Sequence, residues 1–135
     1  MHVILSYFQI GSIIKTNETN QIPEWLKTHP HTDKRRMKNS TNAIYIARKN
    51  LSWKPNLPGA GVFNFDKKLV LTKEGHSRSK WQLPEFFRNL SITHYSEKSW
   101  KKEGYFKSAD IGQEFVIEEN EKVENWAKNL IEVNK

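Results

Sequence analysis

The sequence predicts an α+β fold: a curved mixed, mostly antiparallel sheet or partial β-barrel, with short connecting helices and a C-terminal amphipathic helix. Three observations predict it. Short segments rich in β-branched and aromatic residues recur through the first half of the chain. Gly- and Pro-rich turns separate them. One apolar stripe of helical period closes the sequence. At 135 residues, 36% of them hydrophobic and including 5 Trp, 4 Tyr and 7 Phe, the chain can bury a core. It reads as a single domain over residues 1–135.

The elements follow in order. Val3 to Ile14 is a long strand bent at Gly11, where a missing side chain permits a kink. Such a strand without a preceding partner leaves an open edge, so a pairing segment is expected upstream or on another chain. Pro23-Glu24-Trp25-Leu26 forms one helical turn with Pro at its start. Residues 28–42 lack periodicity and read as an exposed basic loop. Ala43 to Ala47 is a short strand and Pro55 to Gly61 a turn. Val62 to Phe65 and Leu69 to Thr72 read as a hairpin about Asp66-Lys67-Lys68. Lys73 to Lys80 is a second basic loop, Leu83 to Phe87 opens a short helix, Ile92 and Thr93 start a strand, and Glu114 to Ile117 form the last one. Asn120 is an N-cap with Glu121 and Glu124 behind it. Val123, Trp126, Ala127, Leu130 and Ile131 then repeat at offsets 0, 3, 4, 7 and 8, one face of a helix that packs on the sheet.

Charge is uneven along the chain. The formal net charge is +7. Residues 27–56 carry eight Lys or Arg against Asp33 alone, and residues 67–107 carry ten against four Glu. Residues 110–135 reverse the balance, with seven acids and three lysines. A basic middle of this kind attracts phosphate through counterion release. With no cysteine, a disulfide framework, a thiolate metal site and a cysteine nucleophile are excluded. The apolar run near the N-terminus is too short and too polar to cross a bilayer, and it lacks the basic start of a signal peptide. The expected location is cytoplasmic, without membrane association.

His29-Pro30-His31, with Asp33 close by, is the densest cluster of titratable groups. Two histidines without a clear third ligand do not define a metal site, and none is expected. His94 and Glu114 are the candidate general acid and base, although no nucleophile is paired with them. Ser77 and Ser79 sit in a basic loop and suit phosphate hydrogen bonding. Gly59-Ala60-Gly61 lacks the later glycine of a dinucleotide fingerprint, and no Gly-Lys-Ser/Thr occurs, so a nucleotide hydrolase is not expected. Tyr45, Trp53, Trp81, Tyr95 and Trp100 interleave with the basic segments. Exposed rings of this kind stack on bases; buried ones fill a core.

Several motifs taken in order resemble one family. They are Tyr7-Phe8-Gln9-Ile10-Gly11, His29-Pro30-His31, Asn42 to Ala47, Gly59-Ala60-Gly61-Val62-Phe63, Leu71-Thr72, Trp81-Gln82-Leu83-Pro84, Trp100, Gly112-Gln113-Glu114-Phe115-Val116 and Trp126. Together they resemble the C-terminal half of the nucleotide-modification-associated domain of the third type. The resemblance implies a bacterial or phage role near DNA base modification, and a further N-terminal half that would pair with the first strand. Ser6 stands where that pattern usually has Gly. The first strands are also similar to the small barrels of the PUA, ASCH and EVE group, which implies an aromatic pocket for a modified or flipped base beside a basic face.

The expected function is therefore recognition or processing of modified nucleobases, in DNA or as nucleotides. Lys34, Arg35, Arg36, Arg78 and Lys80 would contact phosphate. Tyr45, Trp53 or Trp81 would stack on the base, and His29, His31 and Gln113 would line the polar pocket with His94 and Glu114. No cofactor is expected. The alternative is an interaction subunit that completes a separate N-terminal chain, or a homo-oligomer, by strand addition.

Overall fold

The computed structural model describes residues 1–18 and 22–134. The chain divides into two compact units. Ser6–Val62 forms an inserted unit; Met1–Leu5 and Phe63–Lys135 form the main unit. All strand pairing among the described residues is antiparallel, the helices are few and short apart from the last, and no barrel closes. The α+β class holds, but the expected single curved sheet is three small ones.

In the inserted unit the predicted long strand is β1 (Ser6–Phe8) and β2 (Ile10–Lys15). The bend falls where the glycine predicts it, as the register against β3 (Ala43–Ala47) shifts between Ile10 and Ser12. A Cβ on Gly11 would lie 2.9 Å from the Arg48 backbone nitrogen, so the close approach requires glycine. β1 pairs with β4 (Ala60–Val62). Gln9 links the two pairs: its N–H donates to the Gly59 carbonyl at 2.7 Å and its carbonyl accepts from Arg48 N–H at 2.9 Å. N–H and C=O of one extended residue point the same way. β4 and β3 therefore follow each other along one side of the first strand, and both sheets have only two strands. The opposite edge takes no strand partner among the described residues.

The basic segment expected to be irregular contains two short helical pieces instead. The His29 ring accepts from His31 N–H at 3.1 Å at the head of a 3-10 turn, Pro30–Thr32. The Asp33 carboxylate accepts from Arg35 N–H at 3.0 Å at the head of α1 (Lys34–Met37). Side-chain caps, not apolar periodicity, make these turns, so a periodicity search misses them. The turn at Glu24–Leu26 forms after Pro23 as predicted. Leu26, Ile44 and Leu51 are the buried apolar side chains of this unit.

The main unit corrects one further expectation. Residues 62–65 and 69–72 do not form a hairpin. The Asp66 carboxylate caps Lys68 N–H at 2.7 Å and winds Lys67–Leu69 into a 3-10 turn that buries Leu69 completely. The following residues pair with the N-terminus: Val70 bridges Val3, and Ile4 N–H donates to the Leu69 carbonyl at 2.8 Å. Burying a leucine contributes about 1.5–3 kcal/mol, which favours this turn over a plain hairpin.

A three-stranded sheet completes the unit: β5 (Lys80–Trp81), β6 (Trp100–Lys101) and β7 (Tyr105–Lys107), with β7 in the middle. Lys80 thus belongs to a strand and not to the second basic loop. The predicted strands at 92 and 114–117 are reduced to a single bridge between Ile92 and Ile117. The C-terminal helix α2 spans Glu121–Val133, capped by the Asn120 side chain at 2.9 Å from Lys122 N–H. Its predicted stripe packs inward: Trp126 meets Phe87 edge-on at 5.3 Å and Leu130 is buried.

Candidate functional site

The main unit contains a hollow of about 490 Å³ walled by aromatic rings. Trp81 reaches it from β5, Tyr95 from the turn after Ile92, and Phe115 from the segment before α2. All three rings are half-buried. Tyr95 stands edge-on to Phe115 at 5.7 Å, and Trp81 is tilted against Phe115 at 6.3 Å. The N-terminus closes one side. The Trp81 indole N–H donates to His2 Nδ1 at 2.9 Å, and His2 is anchored by its own N–H to Thr72 Oγ1 at 2.7 Å. The Tyr95 hydroxyl accepts from Ala109 N–H at 3.2 Å, which fixes the segment that carries Ile111, Gly112 and Gln113 along the rim. Leu71, Trp81 and Phe115 also wall an apolar space of about 200 Å³ behind the hollow.

A cationic strip runs along the same segment. Lys80 and Lys107 face each other across β5 and β7, and the Lys80 ammonium sits 4.9 Å above the Tyr105 ring. The Lys107 ammonium contacts the hydroxyl of Ser79, a residue with no exposed surface, and lies 3.6 Å from the Asp110 carboxylate. A hydrogen bond from the Ser79 hydroxyl, then the charges of Lys107 and Arg78, hold the Asp110 carboxyl below its ordinary 3.8. The group is therefore ionised at neutral pH, and any stability it contributes is lost only as pH falls through that lowered value. Ala109, lining the hollow, directly precedes Asp110, so cations and hollow share one stretch of backbone.

The predicted residues separate between the two units. In the main unit, Trp81 and Gln113 line the hollow. Arg78 is exposed in the adjoining loop, where its carbonyl accepts from Thr72 Oγ1 at 2.9 Å. His94 and Glu114 are exposed, lie outside the hollow's lining and share no hydrogen bond. His94 has φ +68°, the one non-glycine residue with positive φ among the described residues. In the inserted unit, Lys34, Arg35 and Arg36 project from α1, and Tyr45 is 54% exposed on β3 opposite Ile13. Trp53 is half-buried in the turn after Leu51. His29 and His31 stand edge-on at 5.4 Å. Among the described residues no group of three His, Asp or Glu side chains could hold a metal ion. No helix of the described residues is long and apolar enough to cross a membrane.

Two features lay outside the sequence reading. His2 meets Trp81 because residues 2–4 pair with 69–72, and Tyr95 and Phe115 join through ring contacts with Phe106, Trp81 and each other, all of them contacts without a local signal. A second aromatic groove, of about 460 Å³, contains Trp100 with Arg88, Lys101 and Lys102. The Arg88 guanidinium already lies 5.7 Å from that indole's centroid, so the Trp100 face is less available for stacking than the open rings of the hollow.

Fold and hollow define a small antiparallel α+β protein whose aromatic cavity adjoins a cationic strand edge. The family model described as Nucleotide modification associated domain 3 matches residues 1–118, and the chain belongs to that family. The family name ties it to nucleotide modification. No curated protein and no solved structure matches.

Proposed function

We propose that the main unit binds a modified nucleobase in the hollow walled by Trp81, Tyr95 and Phe115. The observation that carries this reading is the combination of half-buried rings around a cavity of about 490 Å³ with Gln113 on its rim and the Lys80, Lys107 and Arg78 cations alongside. Base-binding cavities need flat apolar walls and a few polar groups for the edge of the ring. The Gln113 amide supplies both a donor and an acceptor. Stacking on an aromatic side chain contributes about 1–3 kcal/mol per base, enough to offset the few kcal/mol of extruding a base from a duplex. In this reading the hollow serves as the base pocket of the PUA, ASCH and EVE folds does, and the basic side chains of the inserted unit contact phosphate independently. His94 and Glu114, both exposed and sharing no hydrogen bond, favour recognition over acid–base turnover.

The test is an equilibrium titration of the full chain with short DNA and nucleosides carrying unmodified or modified bases, across a salt series. Trp81→Ala is expected to weaken base-dependent binding by about 1–3 kcal/mol, and Gln113→Ala to narrow the preference between bases. Equal affinity for an abasic strand would overturn the reading.

The edge of the first strand that takes no strand partner among the described residues favours a second reading, in which another chain or a second copy adds a strand there. Phe8, Ile10 and Ile13 are each half exposed along it. Under this reading the purified chain self-associates as its concentration rises, and light scattering shows the growth in mass; a strictly monomeric chain excludes the second-copy form.

A further inference from the structure

We infer that the inserted unit carries a phosphate-binding cleft of its own, formed by His31, Arg36, Asn39, Thr41 and Asn42. The cleft measures about 290 Å³ and no carboxylate lines it. Its floor is fixed by a chain of hydrogen bonds. The Asn42 side-chain N–H₂ donates to the His31 carbonyl at 2.8 Å and to the Thr16 hydroxyl, and Thr16 is 2% exposed. The Asn39 side-chain oxygen accepts from both the N–H of Thr41, at 2.9 Å, and its hydroxyl, at 2.8 Å.

These bonds decide what remains for a ligand. With its oxygen engaged, Asn39 keeps its N–H₂ group as a free donor. Both N–H bonds of the Asn42 amide are occupied, so Asn42 holds the loop and offers nothing. His31 Nδ1 lies 3.0 Å from the Ala43 carbonyl oxygen, which has no proton to give, so Nδ1 donates to it; Nε2 of the neutral ring then carries a lone pair and donates nothing to an anion, and His31 serves to fix the wall of the cleft. Among the described residues Arg36 has no ion-pair partner, and Asp33, the nearest acid in sequence, caps the Arg35 N–H instead. A guanidinium and an amide N–H₂ thus share one cleft, with Lys34, Arg35 and Lys38 adding positive charge nearby. That set suits a tetrahedral phosphate oxyanion, because a guanidinium fork can bind two of its oxygens while the amide adds a further hydrogen bond. The inference rests on the inserted unit alone and stands or falls apart from the base-binding hollow.

The phosphate can belong to a nucleic-acid backbone or to a free nucleotide, and the probes separate them. Amide resonances of the full chain are followed by NMR during titration with inorganic phosphate, a nucleoside 5′-monophosphate and a dinucleotide whose only phosphate is a diester. Shifts are expected at His31, Arg36, Asn39 and Thr41. A response to the dinucleotide assigns the cleft to backbone phosphate; a response to inorganic phosphate and the 5′-monophosphate alone assigns it to a terminal phosphate. Arg36→Ala and Asn39→Asp, which keeps the oxygen that caps Thr41, are each expected to weaken binding at least tenfold. Lys49→Ala, at an exposed lysine just beyond β3 and outside the cleft, is expected to change it less than twofold. Equal losses from Lys49→Ala and Arg36→Ala would mean diffuse charge and overturn the proposal, as would shifts that avoid residues 31–42. Trp81→Ala is expected to leave the phosphate response intact, so failure of the hollow and failure of the cleft read out separately.

Discussion

Phe106→Ala is expected to destabilise the main unit by about 3–5 kcal/mol, the range for truncating a buried phenylalanine. Phe106 is 1% exposed at the centre of the middle strand β7. It faces Trp81 across one side of the sheet and Trp100 across the other. Its ring lies 4.9 Å from those of Tyr95 and Trp100 and 6.1 Å from that of Trp81. Truncation removes three ring contacts together with the buried area, and rings pinned by strands cannot collapse into the space. Because a whole domain is stable by only about 5–15 kcal/mol, the loss takes a large share of the total. Urea unfolding followed by tryptophan fluorescence measures it. Phe106→Leu, which refills most of the volume, should cost markedly less; equal costs, or a loss from the alanine variant below about 1 kcal/mol, would show that this ring does not organise the aromatic cluster.

The second large effect is expected in the inserted unit, at Gly59→Ala. A Cβ at that position would stand 2.0 Å from the Arg48 carbonyl oxygen and 2.7 Å from its carbon, both backbone atoms that no rotamer change can move aside. The same glycine donates to the Lys49 carbonyl at 3.1 Å and accepts from Gln9 N–H at 2.7 Å. An added methyl must push the strand ends apart and strain both bonds. Overpacking costs about 1–3 kcal/mol and two weakened hydrogen bonds about 1 kcal/mol each, so a loss of roughly 3 kcal/mol or more is expected. Hydrogen exchange of the Gln9 and Arg48 amides in Gly59→Ala reports the separation directly. Unchanged protection at both amides would mean the crossing tolerates a side chain.

How much of this was legible in the sequence depended on whether the signal was local. α2 was readable because its cap and stripe lie within 13 residues. The bend at Gly11, the turn after Pro23 and the strand at 43–47 were readable for the same reason. The supposed hairpin at 62–72 failed because Asp66 and Leu69 favoured a turn, and because the true partners of 69–72 lie at residues 2–4. β5, β6 and β7 were missed because each is only two or three residues long, too short for an alternation to register. The candidate site divides in the same way. Trp81 and Gln113 stood out by residue type, and the structure brings them to one hollow. Tyr95 and Phe115 could be noted, the one as an aromatic and the other within a motif, but not placed, while His2 carried no signal until the long-range pairing set it against Trp81. Asn39 and Thr41 escaped notice, and Asn42 was noted only at the head of a motif, because polar residues in an irregular segment look alike until their hydrogen bonds are known.

The separation of Met1–Leu5 from the rest of the main unit by a whole inserted unit bears on how the molecule is made. Residues 2–4 leave the ribosome long before residues 69–72, their partners; at about 5–20 residues per second the interval is several seconds. The segment from Ser6 to Val62 contains every strand it pairs with and can be finished during that wait. Synthesis can therefore complete the Ser6–Val62 module before residues 69–72 become available to pair with residues 2–4.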